Sequence, residues 1–579
     1  MSASPTMTAP VGADTPRPTE AQRIDEAVGR LWDNAARFAH LSLDQRVALA
    51  RAMQVGYVRV AEASVRAACA AKGISLGTPL EGEEWCLGPW IVVRHLRLIQ
   101  QSLLALKRTG NTSVGKVGRT VDDRLSVQVY PANGIDAMLF NGVRVDVHLQ
   151  RGVTEKDLHA TRAGFYKVPS HDGRVALVLG AGNVNAIVSL DLITKMFNEG
   201  KVCAVKMNPV NAYLGPYLEQ AFAAAVREGF LAILYGGADE GAYLATHRHT
   251  DEIHITGSDQ TYDRIVWGPP GSERVERKAE GRPLLAKPIT AELGNVSPVM
   301  VIPGPYTDRE LAFQAEDVAS ALTYNASFDC NAAKVVITAK GWPLRETFLR
   351  HLATALAGAQ QRQPYYPGAR ARWEAFTAGR EDVRRFGSLA NAMLPWTLCP
   401  GLDPDDRDER AFREESFCPV LFETSVGSSD PLDFVEHAVA FANDRLWGTL
   451  NATVIVHPAS LKDPSVSAAV EHGIAALRYG AVGVNAFPGL LFAYGTPPWG
   501  AHPSSSPTDI QSGSGWVHNT PMLEGVEKAV ARHPLTTKPK PAYHVSHRTA
   551  HVLLRRMTAL EERASWTKVP GVVAAAMRG

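Results

Sequence analysis

The stretch from Arg174 to Met207, RVALVLGAGNVNAIVSLDLITKMFNEGKVCAVKM, decides the fold class. Residues 174–180 form an apolar run that ends in glycine, which is typical of a buried strand. Residues 185–198 fit a helix that ends at Gly200, and residues 202–207 repeat the apolar run. Because a strand, a helix and a second strand follow one another, the stretch predicts a βαβ unit and a parallel sheet.

The chain on both sides of this unit continues the same alternation. Residues 211–228 fit a helix, and short strands are predicted at 233–235 and 253–256. Further βα alternation runs from residue 289 to 485, whereas residues 21–106 have helical periodicity. We therefore predict an α/β protein with helices covering a mostly parallel sheet.

Composition excludes several classes of protein. The chain has 579 residues, enough to bury the cores of more than one domain. Its net charge is +1, so no global field attracts nucleic acid or an acidic membrane, and neither is predicted as a partner. No uninterrupted apolar stretch of about 18 residues is present, and no membrane span is predicted.

The cysteines and the first residues bear on the compartment. The six cysteines include no pair at C-x-x-C spacing, which argues against a disulfide framework and a zinc ribbon. Residues 1–20 are rich in Ser, Thr and Pro and lack the basic and apolar regions of a secretory signal. We predict a disordered tail over 1–20 and a cytoplasmic location.

One cluster of histidines and carboxylates invites a metal-binding interpretation. It comprises His247, His249, Asp251, Glu252 and His254. If residues 251–256 form a strand, Glu252 and His254 share one face, and a polar strand face explains the cluster. No metal site is predicted.

Short motifs that carry chemistry follow one another in a set order. They are GAGN at 180–183, ITGS at 255–258, TAELGN at 290–295, NASFDCNA at 325–332, EESFCPVL at 414–421 and GVN at 483–485. In that order they resemble the motifs of the aldehyde dehydrogenase superfamily, and the resemblance covers most of residues 25–520.

The resemblance implies a catalytic set of Cys330, Glu292 and Asn183. Cys330 matches the nucleophile, which attacks an aldehyde carbon and forms a thiohemiacetal and then a thioester. Asn183 and the Cys330 backbone N–H would hold the developing oxyanion. Glu292 matches the general base that activates the water for thioester hydrolysis. The implied activity is NAD(P)-dependent oxidation of an aldehyde to a carboxylic acid.

The resemblance also implies NAD or NADP as the cofactor. The matching cofactor-binding residues are Lys206, Gly257, Ser258, Glu415 and Phe417. Asn295 replaces a glycine of the family pattern, and Pro209 stands where the family often has an acidic residue on the adenosine ribose. The choice between NAD and NADP is therefore open.

The implied fold has a Rossmann-like cofactor domain, a catalytic α/β domain and a β-strand oligomerisation arm. We expect the cofactor domain at 21–120 and 166–295, the arm as a hairpin at 121–165, the catalytic domain at 296–495, and a return and extension at 496–579. The hairpin is expected to pair across subunits of a homodimer or homotetramer, completing an exposed sheet edge. Residues 267–287, with Pro269-Pro270-Gly271, suggest an inserted loop.

Two alternatives remain beside aldehyde oxidation. An acylating aldehyde dehydrogenase or acyl-CoA reductase would exchange the thioester with coenzyme A, and the turn GAGN keeps this alternative open. A non-catalytic binding protein on the same fold is the other. The substrate is a small-molecule aldehyde, and an apolar one is suggested by Phe328, Phe487, Phe492 and Trp499.

Overall fold

The computed structural model describes residues 16–579 and contains the predicted βαβ unit. Strand Val175–Leu179 leads into helix Ile187–Ile193, which continues as a wider turn over Thr194–Asn198. Strand Val202–Lys206 then pairs parallel with the first strand, Val175 opposite Val202. Both strands are fully buried, as their continuous apolar runs require.

This unit forms the centre of a six-stranded sheet. In spatial order its strands are Gly513–Ser514, Ile289–Glu292, Glu252–Thr256, Val175–Leu179, Val202–Lys206 and Leu231–Leu234. All neighbours are parallel except Gly513–Ser514, which pairs antiparallel with the strand that ends at Glu292. The carboxyl ends of the parallel strands therefore meet along one edge, where ligands bind in open α/β sheets.

A second sheet has eleven strands. In spatial order they are Val117–Arg119, Leu125–Tyr130, Arg144–Leu149, Val526–Arg532, Ala481–Val484, Asn451–Ile455, Ser297–Val301, Ala333–Ala339, Val420–Val426, Trp396–Leu402 and Arg384–Phe386. Its central strands are parallel. A small pair, Pro498–Trp499 with Val517–His518, lies apart from both sheets.

Helices cover both sheets. The α-helices are Ala21–Ala39, Leu43–Ala71, Glu81–Trp85, Ile91–Thr109, Gly134–Leu139, Glu155–Thr161, Ile187–Ile193, Gly215–Ala221, Ala223–Arg227, Ala238–Thr246, Asp259–Trp267, Ser272–Glu280, Asp308–Thr323, Arg345–Gly358, Ala369–Thr377, Arg410–Arg413, Pro431–Arg445, Pro464–Ala476, Gly489–Tyr494, Ala550–Glu562 and Val569–Ala576. Two apolar cores result: the first contains the six-stranded sheet and one end of the eleven-stranded sheet, and the second contains the rest of the eleven-stranded sheet. Cys330 packs at the edge of the first core, and Phe328 lies in the second.

The predicted hairpin is present, and its inner strand has a partner within the chain. Strand Arg144–Leu149 pairs antiparallel with Val526–Arg532, and that strand pairs parallel with Ala481–Val484. Val526–Arg532 thus satisfies the backbone hydrogen-bonding groups along one edge of the hairpin. Pairing of the hairpin across subunits stays a prediction.

The structure corrects two expectations, one for residues 267–287 and one for the N-terminal tail. Residues 267–287 are not an inserted loop throughout, because helix Ser272–Glu280 forms within them and Gly281, at φ +63°, ends it. Of the predicted tail 1–20, residues 1–15 lie outside the described residues. Thr19 donates a backbone hydrogen bond to the carbonyl of Tyr235 at 3.0 Å, so the end of the tail is anchored.

The C-terminal extension packs on the rest of the chain. Helix Ala550–Glu562 lies against the N-terminal helices. Arg94 donates to Glu561 at 2.6 Å and to Asp136 at 2.8 Å, and all three side chains are buried. No helix among residues 16–579 is long and apolar enough to cross a membrane.

Candidate active site

Cys330 ends a tight loop between helix Asp308–Thr323 and strand Ala333–Ala339. Asn325, Ala326 and Ser327 all adopt left-handed backbone angles, with φ of 50°, 57° and 69°. Residues that carry a Cβ adopt such backbone angles only where contacts with the surrounding protein compensate the strain. The loop is therefore held by its contacts, and it presents a half-buried thiol at the boundary of the two cores.

The thiol of Cys330 meets the carboxyl of Glu292. Cys330 Sγ donates to Glu292 Oε1 at 3.3 Å. Glu292 ends a strand of the six-stranded sheet and is 3% exposed. Among the described residues, its second oxygen, Oε2, is buried and has no hydrogen-bond partner. A thiol and a carboxyl thus lie within hydrogen-bonding distance of each other, and one carboxyl oxygen has no partner among the described residues.

Burial sets the protonation of this pair. Burial raises the pKa of Glu292 to about 7, and the nearby carboxylate of Asp191 adds to the rise. Burial and the carboxylates of Glu292 and Asp329 hold the pKa of the Cys330 thiol well above its usual value. A base whose pKa lies near neutrality is suited to take a proton and return it.

Asp329, beside the nucleophile, points into a buried polar network. Its Oδ1 accepts a hydrogen bond from Asn325 Nδ2 at 2.9 Å. Burial raises the pKa of Asp329 to about 7. Asn325 Nδ2 also donates to the carbonyl of Asn183 at 3.0 Å, and Asn325 Oδ1 accepts from Lys72 Nζ at 2.9 Å. One amide side chain therefore ties the nucleophile loop to the turn after strand Val175–Leu179.

Asn183 lies in that turn and reaches back to the nucleophile loop. Its Nδ2 donates to the carbonyl of Phe328 at 2.8 Å. The amide is thus held two residues from the nucleophile, and an amide nitrogen carries a second hydrogen that this bond does not use. The carbonyl of Asn183 also accepts from the hydroxyl of Tyr365 at 2.7 Å.

A cavity of about 800 Å³ opens beside the thiol, between the two sheets. Every site residue predicted from the sequence lines it: Asn183, Lys206, Gly257, Ser258, Glu292, Cys330, Glu415 and Phe417. The cavity lies at the carboxyl ends of the strands that end at Leu179, Lys206 and Thr256. Its position matches the ligand-binding edge of an open α/β sheet.

At one end of the cavity lie Lys206 and the turn at Gly257. Lys206 Nζ donates to the carbonyls of Gly236 and Gly237 at 3.3 and 3.2 Å. Burial lowers the pKa of Lys206 to about 8. Ser258 begins helix Asp259–Trp267, and its hydroxyl accepts from the backbone N–H of Thr261 at 3.2 Å. These groups offer a cation and a helix start to a ligand.

At the other end, Glu415 approaches the backbone closely. A Cβ on Gly294 would lie 2.2 Å from Glu415 Oε2, so a larger residue at 294 would displace that carboxyl. Glu415 Oε1 is buried and has no hydrogen-bond partner among the described residues. Burial raises the pKa of Glu415 to about 7, opposed by the Lys334 cation. A carboxylate oxygen is therefore available to a ligand hydroxyl.

A smaller cavity of about 50 Å³ lies against the same thiol. Cys330 lines both cavities. Of the aromatic residues that suggested an apolar substrate, Phe487 and Phe492 line the small cavity, whereas Phe328 and Trp499 do not. Trp499 instead lies next to Glu292, where its indole lowers the pKa of that carboxyl.

Some residues of the site are ones that sequence reasoning missed. Lys334 is 1% exposed, its Nζ has no hydrogen-bond partner among the described residues, and it lies near Cys330, Asp329 and Glu415. Its place shortly after the nucleophile is the only signal that the sequence offers. Lys72, which forms a buried ion pair with Glu84 at 2.9 Å, gives no signal because it lies far away along the chain.

The histidine cluster is spread over separate contacts. Glu252 forms ion pairs with Lys195, at 3.1 Å, and with Lys201. His254 Nδ1 hydrogen-bonds with Thr290 Oγ1 at 2.8 Å. Within residues 16–579, no three His, Cys, Asp or Glu side chains are grouped so as to hold a metal ion.

Asn295, which departs from the expected glycine, has a structural position. It is fully buried, and its Nδ2 donates to Ser297 Oγ at 3.1 Å and to the carbonyl of Asn451 at 2.9 Å. Its Oδ1 accepts from the backbone N–H of Leu450 at 3.3 Å. The residue thus joins the strand of the base to the eleven-stranded sheet.

Comparison with known families identifies one match. Residues 175–370 match the model of the aldehyde dehydrogenase family. The segment begins with the βαβ unit and contains both Glu292 and Cys330. The match therefore covers the region that holds the thiol–carboxyl pair.

Curated relatives match over a similar length. A chloroplastic betaine aldehyde dehydrogenase of Amaranthus hypochondriacus is 28% identical over 244 residues, which cover 39% of this chain and 44% of the relative. A peroxisomal aminoaldehyde dehydrogenase 2 of Malus domestica is 28% identical over 244 residues, 39% of this chain and 43% of the relative. The match thus spans less than half the length of these relatives.

Solved structures show that the fold is the aldehyde dehydrogenase fold. An NADP-dependent glyceraldehyde-3-phosphate dehydrogenase of Bacillus halodurans C-125, complexed with NADP, matches with a TM-score of 0.57 and 15% identity, covering 88% of this chain and 91% of that chain. An indole-3-acetaldehyde dehydrogenase complexed with NAD+ matches with a TM-score of 0.58 and 19% identity, covering 89% of each chain. The α/β fold predicted from the sequence is confirmed.

Proposed function

We propose that this chain, which has the aldehyde dehydrogenase fold, oxidises an aldehyde to a carboxylic acid with NAD or NADP. The observation that carries the proposal is the contact of Cys330 Sγ with Glu292 Oε1 at 3.3 Å, at the wall of a cavity that every predicted site residue lines. Thiol, base and amide donor are the groups that covalent aldehyde oxidation needs.

The residues of the large cavity fit a nicotinamide dinucleotide. Its volume of about 800 Å³ suits a cofactor of that size. The orphaned Glu415 Oε1 would accept from a ribose hydroxyl, and Lys206 would donate to the other ribose. Gly257 and Ser258 would face the pyrophosphate at the helix start, and Phe417 would contact the nicotinamide ring. When bound, this cofactor supplies the acceptor for a hydride.

The first half of the reaction forms the bond between Cys330 and the substrate. The Cys330 thiol passes its proton to Glu292 Oε1, with which it is already hydrogen-bonded. The thiolate attacks the aldehyde carbon, and the carbonyl oxygen becomes the oxyanion of a thiohemiacetal. Asn183 Nδ2, with its unused hydrogen, and the Cys330 backbone N–H would donate to that oxygen. Loss of hydride from the carbon leaves a Cys330 thioester.

The second half releases the acid. Glu292 first releases to solvent the proton that it took from Cys330. The buried Glu292 Oε2, without a partner among residues 16–579, would then accept a proton from water and direct the water to the thioester carbon. The carbon–sulfur bond breaks, the carboxylic acid leaves, and Glu292 returns its proton to the sulfur, which restores the Cys330 thiol. A base with a pKa of about 7 can serve in both halves because it is partly deprotonated at neutral pH.

The test is formation of NADH and NADPH from aliphatic and aromatic aldehydes by wild type and Cys330→Ala. We expect turnover by wild type and loss of turnover in the variant. Reduction of an acyl-CoA by NADPH, without aldehyde oxidation, would replace the proposal with the acyl-CoA reductase alternative. Absence of activity in both assays would favour a non-catalytic binding protein.

Assembly and location complete the proposal. We infer a homodimer or homotetramer, to be checked by light scattering of the purified chain. A cytoplasmic location is supported by the free state of all six cysteines. A disulfide found in the protein isolated from its cells would contradict that location.

A further inference from the structure

The small cavity on the far side of Cys330 from Glu292 is walled by apolar side chains. They include Ile91, Val184, Ile187, Phe487, Phe492 and Tyr543. Among the described residues that line it, the only carboxyl is Asp329, and no lysine, arginine or histidine is present. Asp329 is already hydrogen-bonded to Asn325 at 2.9 Å. An aldehyde with an anionic tail would find no cationic partner there, and buried charges need one.

The volume of the cavity limits the size of an aldehyde tail. The cavity measures about 50 Å³. A water-sized group needs about 10–15 Å³ by the same measure, so the cavity holds roughly three to five such groups. A short hydrocarbon tail fits, whereas a long one requires a wall to move.

One wall of the cavity comes from the C-terminal extension. Tyr543 lies far along the chain from the family match, which ends at residue 370. The Tyr543 hydroxyl donates to Asp317 Oδ1 at 2.5 Å, and its ring centroid lies 5.6 Å from that of Phe487. The half-buried ring of Tyr543 is thus fixed by the hydrogen bond of its hydroxyl to Asp317 and by its contact with Phe487.

The neighbours of Tyr543 attach the same segment to the helix that precedes the nucleophile loop. His544 Nε2 lies 3.2 Å from Asp317 Oδ1, and the Val545 N–H donates to Ser320 Oγ at 3.0 Å. Asp317 and Ser320 belong to helix Asp308–Thr323, which leads directly into the loop of Cys330. The wall and the nucleophile are therefore mounted on one element.

We propose that the C-terminal extension, residues 533–579, sets the substrate class of the site, with Tyr543 as the residue that limits tail length. The substrate is then a short aldehyde with an apolar tail. This inference rests on the proposed function, since it assigns the small cavity to the aldehyde tail. It gives the extension a role that neither its length nor its composition indicates.

The test compares kcat/KM over straight-chain aldehydes from acetaldehyde to decanal. For wild type we expect a maximum at short chains. Tyr543→Ala opens the wall and should raise kcat/KM for longer aldehydes about tenfold or more relative to short ones. Tyr543→Phe keeps the ring and should keep the wild-type profile. Trp566→Ala, at an exposed side chain of the same extension, is the matched control and should leave the dependence of kcat/KM on chain length unchanged.

A second readout needs no turnover. Short and long alkyl methanethiosulfonates form a mixed disulfide with a thiolate and release methanesulfinate, and peptide mass spectrometry locates the adduct. The ratio of long to short modification at Cys330 should rise about tenfold in Tyr543→Ala and stay unchanged in Tyr543→Phe. Tyr543→Leu replaces Tyr543→Ala if the latter does not fold, with a smaller shift in the same direction.

The outcomes separate the inference from the function. Turnover with an unchanged chain-length profile in folded Tyr543→Ala or Tyr543→Leu overturns the inference and leaves the proposed function standing. No aldehyde oxidation by wild type overturns the proposed function, and the substrate assignment with it. In that case the modification ratio still decides whether Tyr543 walls the cavity beside Cys330.

Discussion

The thiol of Cys330 donates a hydrogen bond to Oε1 of Glu292 over 3.3 Å, at the edge of the first apolar core. The two residues are separated along the chain by a strand and a long helix. Their contact joins the end of a strand of the six-stranded sheet to the loop before strand Ala333–Ala339 of the eleven-stranded sheet. Consequences for rate, pH dependence, cofactor binding and stability follow from this arrangement and its neighbours.

Replacing Glu292 by Gln should abolish steady-state acid formation. The amide cannot take a proton from water, and loss of a general base costs roughly 10²- to 10⁴-fold in rate. A burst of NADH near one equivalent per active site should remain but form more slowly, because the thiol must then lose its proton to water before the thioester forms. The measurement is stopped-flow absorbance followed by assay of the acid. Unchanged turnover in Glu292→Gln would contradict the hydrolytic route.

The rate should depend on pH near neutrality. Burial raises the pKa of Glu292 to about 7, and the base acts only as the carboxylate. Below about pH 7 the carboxyl is protonated and kcat/KM should fall about tenfold per pH unit, whereas above it the base is charged and the rate levels off. The profile is measured from about pH 5.5 to 8.5 in buffers of constant ionic strength. A profile that is flat through pH 7 would contradict the role of Glu292.

Replacing Glu415 by Gln should weaken cofactor binding. Its Oε1 is a buried acceptor without a partner among the described residues, and a hydrogen bond to a charged group contributes about 1.5–3 kcal/mol. The dissociation constant for NAD or NADP, measured by fluorescence titration, should therefore rise by about tenfold or more. Glu381→Gln, at an exposed carboxyl that does not line the cavity, is the control and should bind as wild type does. Equal affinities of the two variants would remove Glu415 from the cofactor site.

Replacing Glu561 by Ala should destabilise the fold. Glu561 forms a buried ion pair with Arg94 at 2.6 Å and a second pair with Arg97 at 2.5 Å, and its loss leaves Asp136 as the one carboxylate on Arg94 among the described residues. Breaking such a pair costs about 3–5 kcal/mol, which should lower the urea midpoint clearly. Glu562→Ala, one residue further on, should stay within about 0.5 kcal/mol of wild type. Similar midpoints for both variants would show that the C-terminal helix contributes little.

Much of the site could be predicted from the sequence. The apolar runs at 174–180 and 202–207 predict the strands because a fully buried parallel strand needs apolar residues on both faces. The motifs around Asn183, Glu292 and Cys330 come at the ends of strands or in the loop after a helix, and the cavity at those ends is lined by all of them. For these elements the information is local, since periodicity acts within a few residues.

The expectation for the hairpin at 121–165 shows the limit of local information. The alternation of apolar and polar residues predicts its strands. It does not predict which strand they pair with, because any exposed strand edge can form the backbone hydrogen bonds. The structure pairs Arg144–Leu149 with Val526–Arg532, from the far end of the chain. The choice depends on how the C-terminal segment returns to the sheet, which is a matter of packing.

The sequence by itself determined the α/β architecture, the order of the strands along the chain and the identity of the nucleophile and base candidates. Only the tertiary structure decided that Lys334, Asn325 and Tyr543 surround Cys330. The reason is physical. Strand and helix formation depends on neighbours in sequence, whereas a cavity is made by side chains from distant segments whose burial in shared cores brings them together.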